Sequence, residues 1–114
     1  RFFVSVLVPL TENRDFRRLY GRGKSFVAPV LVTYCAKNRA GITRVGITTG
    51  KKIGIAVQRS RARRVIREAY RSMMDGVKPG YDLVFVARGR TCRVKMQEVA
   101  AAMRAQLKKA GVLE

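Results

Sequence analysis

The spacing of apolar residues along the chain predicts three helices. In each of three stretches, apolar side chains recur at intervals of three and four residues, which places them on one face of an α-helix. The predicted helices cover residues 13–21, 56–74 and 94–110. Asn13 is expected to cap the first helix, and Gly111 is expected to end the last one. The apolar faces of the two longer helices supply the expected core: Val65, Ile66, Ala69, Tyr70 and Met73, followed by Met96, Val99, Ala100, Met103 and Leu107.

Runs of β-branched and aromatic residues between the helices predict four strands. They cover residues 24–28, 30–37, 44–49 and 81–87. Pro29 separates the first two strands, because proline cannot donate a ladder hydrogen bond. The third strand is expected to run antiparallel to the second. The fourth is apolar almost throughout, which is typical of a strand in the centre of a sheet.

The predicted order of elements, α-β-β-β-α-β-α, favours an α+β fold. The economical packing is a single α/β sandwich in which helices cover a four-stranded mixed sheet. The 114 residues suit one domain over 1–114, with its core in residues 11–110. Residues 1–10 are expected to form a tail or an added strand. No small-x-small cleavage site follows this apolar stretch, so we do not interpret it as a signal peptide.

The large excess of positive charge indicates a domain that binds a polyanion. The chain carries 25 Lys and Arg against 7 Asp and Glu, a net charge of +18. Such a domain repels itself unless nucleic acid or an anionic membrane neutralises it. A membrane fits poorly, because no apolar run approaches the roughly 18 residues of a spanning helix. The apolar stripe of the long helix is also needed for the core.

The residue types present exclude most catalytic chemistry. The chain has no histidine, which removes imidazole bases, catalytic triads and histidine-ligated zinc. Two cysteines are too few for a zinc site or a disulfide framework and favour a reducing, cytoplasmic setting. The acids are scattered and form no obvious metal cluster. We therefore expect no catalytic residue and no metal ligand in the protein.

Positive charge is concentrated in residues 51–71, which hold eight basic residues and a single acid, Glu68. Like charges four residues apart destabilise an isolated helix, so such a face makes sense if phosphates neutralise it. The alternative is a solvated helix face, which usually mixes lysine with glutamate. The expected ridge consists of Arg59, Arg63, Arg67 and Arg71, flanked by Arg61 and Arg64.

Aromatic residues suggest a second surface. Phe16 and Tyr20 share a helical face, and Tyr34 lies on a strand with Val32. Aromatic side chains on a sheet and a neighbouring helix can stack unpaired bases. The alternative is that each of them belongs to the hydrophobic core.

From about Leu10 to Leu107, the sequence resembles the protein subunit of bacterial ribonuclease P. Residues 10–23 are similar to the family's first helix and the turn after it, and residues 81–88 to its last strand. The most specific part is residues 51–61, Lys-Lys-Ile-Gly-Ile-Ala-Val-Gln-Arg-Ser-Arg. The family pattern there is Lys-Lys-x-Gly-x-Ala-Val-x-Arg-Asn-Arg. Ser60 stands where the family has Asn, and Ile55 where it usually has Asn or Gly.

The resemblance implies a role in an RNA-based endonuclease that removes the 5′ leader from precursor tRNA. The catalytic RNA of that enzyme uses Mg²⁺, and the protein supplies no catalytic residue. The implied partners are ribonuclease P RNA and precursor tRNA, with no membrane and no obligate protein partner. The resemblance also implies a left-handed β-α-β crossover through the long helix, against the general rule for such units.

The resemblance also assigns binding roles to two sets of residues. The basic segment would dock on the catalytic RNA through Lys51, Lys52, Arg59, Ser60, Arg61, Arg63, Arg64 and Arg67. A cleft lined by Phe16, Tyr20, Val32 and Tyr34 would hold the single-stranded leader.

Three other functions remain possible from the residues alone. A ribosomal or other structural RNA-binding protein would have the same composition, but not the signature in residues 51–61. A DNA-binding module could place the long helix in a major groove, although no helix-turn-helix spacing accompanies it. A stand-alone nuclease would need acids that are not clustered here.

Overall fold

The computed structural model describes residues 7–113, which contain three helices and five strands. The strands are β1 (Val8–Pro9), β2 (Lys24–Ala28), β3 (Leu31–Lys37), β4 (Arg44–Thr48) and β5 (Tyr81–Ala87). The helices are α1 (Asn13–Arg22), α2 (Ala56–Arg71) and α3 (Met96–Lys109), with short 3₁₀ turns at Lys51–Ile53 and Met74–Gly76. Of the predicted tail or added strand, Val8–Pro9 form a strand, while residues 1–6 lie outside the described part.

The five strands form one mixed sheet in the order β1-β4-β5-β3-β2. β5 occupies the centre, as its apolar run predicted, antiparallel to β3 and parallel to β4. The third predicted strand, β4, does run antiparallel to the second, β3, but β5 lies between them, so the two strands are not neighbours. β4 instead lies between β1 and β5 and is parallel to both. Alternation fixes which side chains share a face of a strand, but it does not fix the neighbouring strand.

The crossover β4-α2-β5 is left-handed, as the resemblance implied. Asn38 N–H donates to Gly80 O, so pairs at even steps along β3 and β5, such as Tyr34 with Val84, are the hydrogen-bonded ones. Consider a strand that runs upward as seen by the viewer. A residue whose side chain points toward the viewer then directs its backbone N–H and C=O to the right, because the residues are L-amino acids. Val84 faces α1 and is hydrogen-bonded to β3. Seen from the α1 side with β5 running upward, β3 therefore lies to the right of β5, and β4 lies to the left. Seen from the opposite face, where α2 packs, β4 lies to the right of β5. The chain therefore moves leftward from β4 through α2 to β5, which is a left-handed crossover.

The helices cover the sheet unequally. On one face α2 and α3 pack over the main core, where the Tyr70 and Phe85 rings lie 5.6 Å apart. The apolar residues predicted to face inward on α2 are all buried there. On the other face α1 alone packs over a small cluster of Leu10, Leu19 and Val84. This face therefore keeps part of the sheet accessible.

The cap of α1 and the end of α2 differ from the prediction. Asn13 does not cap α1, because the Glu12 carbonyl already accepts N–H bonds from Asp15 and Phe16 at 3.0 and 3.3 Å. Asn13 is thus the first residue of the helix, and the N-cap is Glu12, one residue earlier. α2 ends at Arg71 and not at residue 74, and a 3₁₀ turn follows it. Gly111 does end α3, since its φ of +78° is a backbone conformation that favours glycine.

Candidate nucleic-acid interface

The face of the sheet under α1 gathers all four residues expected to line a cleft. Phe16 lies directly on β4, because Gly46 has no side chain in its way. A Cβ at Gly46 would stand 2.6 Å from the Phe16 ring. The Phe16 and Tyr20 rings are 6.5 Å apart, and Tyr20 meets Tyr34 edge to face at 4.9 Å. Tyr20 remains 44% exposed, so this aromatic group is not a closed core.

Beyond these rings, the next row of side chains across the sheet is open. Strand register aligns Val27 with Val32, Val32 with Val86, and Val86 with Thr48. Val27 is 70% exposed, and the other three are half-buried. We call this row, with Phe16, Tyr20 and Tyr34, the open cleft. It offers flat apolar and aromatic surface of the kind that unpaired bases stack on.

Sequence reasoning found Val32 but missed Val27, Val86 and Thr48 as cleft residues. All three lie on predicted strands, and their alternation already placed them on one face or the other. Which of them lie beside Val32 depends on strand order and register, which the sequence pattern left open.

A buried carboxylate fixes α1 over the sheet. Asp82, fully buried in β5, accepts hydrogen bonds from Arg44 Nε and Nη2, both at 2.8 Å, and from Asn38 Nδ2 at 2.8 Å. Arg18 of α1 also donates to it. Burial by itself raises the pKa of Asp82, but the hydrogen bonds from Arg44 and Asn38 and the charges of Arg44 and Arg18 outweigh it and lower the pKa below 3.8. The carboxylate is therefore ionised and joins β5 and β4 to α1.

The basic segment begins with a tight turn that leads into α2. Gly54 has a φ of +134°, and a Cβ there would stand 1.8 Å from Gln58 Oε1. That same oxygen accepts the Ile55 N–H at 3.0 Å and so helps start the helix. Lys51 and Lys52 are exposed in the turn. Position 54 therefore requires glycine for two reasons, backbone conformation and space.

The expected ridge of arginines does not form a uniform row. Arg63 leans to one side of α2 and donates to Ile47 O at 3.2 Å and to Thr49 Oγ1 at 3.0 Å. Arg61 leans to the other side, where its Nε donates to Cys92 O at 2.9 Å. Arg59 is half-buried. With about 3.6 residues per turn, the outermost arc of the helix carries the exposed residues Ser60, Arg64, Arg67 and Arg71.

The open cleft and the basic face of α2 lie on opposite sides of the sheet, yet they meet at one end. Thr48, the last residue of β4, belongs to the cleft, and Lys51 begins the basic turn three residues later. An RNA lying over this end of the molecule would contact both surfaces.

The described residues provide no obvious site for metal or nucleophilic chemistry. No three side chains of His, Cys, Asp or Glu converge within residues 7–113. Asp15 and Asp82 both face Arg18 and Arg44, an environment that repels a divalent cation. Cys35 and Cys92 are free and buried, and burial raises the pKa of the Cys35 thiol to about 11. In the same part of the chain, none of the helices has the length and apolarity to cross a bilayer.

Comparison with known proteins decides the family. The sequence pattern that defines the family described as Ribonuclease P matches residues 7–111. The chain belongs to the ribonuclease P protein family. It is 42% identical to the ribonuclease P protein component of Clostridium botulinum (strain Loch Maree / Type A3), over 90% of this chain and 94% of that one. It is 51% identical to that of Clostridioides difficile (strain 630), over 69% of this chain and 70% of the relative.

Solved structures of ribonuclease P proteins share the fold. The protein from Staphylococcus aureus superposes with a TM-score of 0.82 at 27% identity, covering 96% of this chain and all of that one. The protein from Thermotoga maritima gives a TM-score of 0.78 at 28% identity, covering 89% and 96%. These likenesses confirm the predicted α+β class, with one more strand than expected.

Membership of the ribonuclease P family assigns this chain to tRNA processing. It is the protein component of an endoribonuclease complex, and that role implies association with ribonuclease P RNA. This assignment replaces the two alternative functions, a ribosomal RNA-binding protein and a DNA-binding module.

Proposed function

We propose that this protein assists a catalytic RNA in removing the 5′ leader of precursor tRNA in the cytoplasm. The basic face of α2 docks on the catalytic RNA, and the open cleft holds the single-stranded leader. The observation that carries this proposal is the separation of two surfaces of different chemistry on opposite sides of one sheet. One surface is cationic and the other is apolar and aromatic.

The open cleft suits an unpaired strand. Tyr20 and Tyr34 are held edge to face, so the ring of one is braced against the other while Tyr20 stays partly exposed. Bases stack on such rings without regard to sequence, which suits leaders that differ from one tRNA to the next. A paired stem presents no unstacked base, and mature tRNA has no leader to bind.

The protein itself contributes no catalytic residue in this proposal. Histidine is absent, and the buried Asp82 is already neutralised by arginines. The Mg²⁺ that activates water would be held by the RNA and its substrate, since Asp15 and Asp82 face arginine guanidinium groups and no three acidic side chains converge in the described residues. The protein acts by positioning RNA and by neutralising phosphates.

The direct test is to mix the protein with a bacterial ribonuclease P RNA and a precursor tRNA at low Mg²⁺. We expect the protein to stimulate cleavage at the mature 5′ end. A protein that binds the RNA without changing the rate or site of cleavage would contradict the proposal and favour a purely structural role.

The leader cleft makes a separate prediction. Tyr34→Ala should weaken binding of precursor tRNA to the assembled enzyme by about 10-fold, because stacking contributes roughly 1–3 kcal/mol per base. Binding of mature tRNA should hardly change. Equilibrium binding of the two tRNAs to the same preparation measures the difference.

Two controls separate stacking from folding in that experiment. Tyr34→Phe keeps the ring and should bind precursor tRNA like the parent. A core role for Tyr34 predicts instead a lower melting temperature and equal losses for both tRNAs. That result in a still-folded Tyr34→Ala protein would remove the leader from the cleft.

A further inference from the structure

Two exposed apolar side chains stand in the middle of the most basic surface of the molecule. Ile55 and Val57, at the start of α2, are 68% and 73% exposed. Neither belongs to either hydrophobic cluster of the fold. Phosphate contacts alone would be served better by polar or charged side chains at both positions. The charge of α2 therefore does not explain these residues.

Val57 lines a shallow concavity on the outer side of α2. Its volume is about 360 Å³, and its walls are Ala56, Val57, Ser60, Arg61 and Arg64. The floor is apolar, a hydroxyl stands at Ser60, and two guanidinium groups form one side. Apolar surface next to paired arginines is complementary to a nucleotide, which has a flat base and an anionic phosphate.

Arg61 is held in place in this concavity. Its Nε donates to Cys92 O at 2.9 Å, which ties the guanidinium to the loop before α3 and fixes its plane. The terminal nitrogens are not used by that bond. A planar cation held in one orientation can stack on a base. Arg64 lies on the outward arc of α2, where a phosphate can reach it.

We infer that this concavity binds one unpaired nucleotide of the catalytic RNA, with its base on Val57 and Arg61 and its phosphate on Arg64. The inference rests on the proposed function, since it deepens the docking role of α2. It adds selectivity, because α2 then recognises an unstacked nucleotide in a folded RNA and not only a high density of phosphates. A fully paired A-form helix offers no free base to fill the site.

The test separates apolar contact from charge by the salt dependence of binding. Val57→Ser should weaken binding of the catalytic RNA about fivefold to tenfold at every salt concentration, with an unchanged slope of log K against log salt. Arg64→Ala should reduce that slope by about 1, since one phosphate contact is lost. Arg61→Lys keeps the charge but loses the planar group, so affinity should fall with the slope unchanged.

Val27 provides a matched control, because it is 70% exposed but lies in the open cleft, on the other side of the sheet. Val27→Ser should bind the catalytic RNA like the parent, and both serine variants should keep the parent's melting temperature. If Val57→Ser binds like Val27→Ser while the parent assembles and stimulates cleavage, the nucleotide site is wrong and the proposed function stands. A parent protein that fails to assemble with the RNA would overturn both.

Model RNAs test whether the nucleotide is unpaired. In a Tyr34→Ala background, which weakens single-strand binding in the open cleft, Val57→Ser should lose affinity for a single-stranded oligonucleotide and keep its affinity for a fully paired RNA duplex of the same length. Equal losses on both would show that Val57 contacts the backbone or groove of any RNA. That outcome would overturn the assignment of an unpaired nucleotide.

Discussion

Replacing Asp82 with alanine is expected to lower the free energy of unfolding by about 3 kcal/mol, which is a large part of the stability of a small domain. The substitution leaves the guanidinium groups of Arg18 and Arg44 facing each other without their shared anion. Both arginines keep some access to water, with side chains 33% and 27% exposed. The loss should therefore be at the low end of the range for breaking a buried ion pair. Denaturant unfolding of parent and variant measures it.

Asp15 is the matched control for this prediction. It faces the same two arginines, but only at 3.9 and 3.8 Å, and it is not fully buried. Asp15→Asn should change the free energy of unfolding by less than about 1 kcal/mol. If the Asp15 and Asp82 variants lose equal stability, the network depends on general charge balance and not on the buried hydrogen bonds.

The same carboxylate makes stability depend on pH in the acid range. The pKa of Asp82 is lowered in the folded protein, so the unfolded chain binds its proton more readily. The stabilisation is thus complete above the ordinary pKa of 3.8 and is lost as pH falls from there toward the folded pKa. Thermal unfolding between about pH 5 and pH 2 should show this loss in the parent. An Asp82→Asn variant, if folded, should show a flatter curve. The Asn38→Ala variant, which keeps Asp82 and both arginines, should show a smaller acid loss than the parent.

Asp82 also illustrates what the sequence could not predict. It lies in a nearly continuous apolar run, and that run predicted the strand and its central place correctly. Its partners come from α1, from β4 and from the turn after β3. These partners meet because β4 pairs with β5, a pairing that the sequence pattern left open. The ion-pair network that orients α1 over the open cleft therefore could not be predicted without the strand order.

The buried hydrogen bonds of Gln106 were not predicted, for a similar reason. It lies on α3 among residues expected to face inward, and its side chain is buried although it is polar. Its Nε2 donates to Phe26 O and Leu31 O at 3.0 Å each, and its Oε1 accepts the Thr33 hydroxyl at 2.6 Å. Helical spacing predicts which positions face the core, but it cannot show that backbone carbonyls of β2 and β3 lie within hydrogen-bond distance at that point.

The grouping of the candidate residues was predicted better than the contacts among them. Residue types and spacing brought Phe16, Tyr20 and Tyr34 to one surface, as expected from the aromatic pattern. The arginines of α2 were predicted as one ridge because helical spacing counts only positions on the helix itself. Arg61 and Arg63 lie at its flanks and bond to Cys92 O and Ile47 O, so neighbouring elements decide which arginines stay free.

The largest effect on RNA binding is therefore expected from the arginines on the outermost arc of α2, and not from those at its flanks. Arg64, Arg67 and Arg71 are exposed on the outermost arc of α2. Changing all three to alanine should weaken assembly with the catalytic RNA on the order of 100-fold at about 0.1 M salt, because counterions released by three phosphates no longer contribute. The slope of log K against log salt should fall by about 3. Filter binding or fluorescence titration over a range of salt measures both.

Arg14, Arg17 and Arg22 of α1 form the matched control, because they are also three exposed arginines on one helix. Replacing them lowers the net charge by the same amount, from +18 to +15. α1 lies on the other side of the sheet, so assembly with the catalytic RNA should change little. The exposed positions on α2 make no packing contacts with the core, so melting temperature should stay near that of the parent. Equal losses from the two triple variants would show that binding follows net charge alone, and α2 would then not be the docking helix.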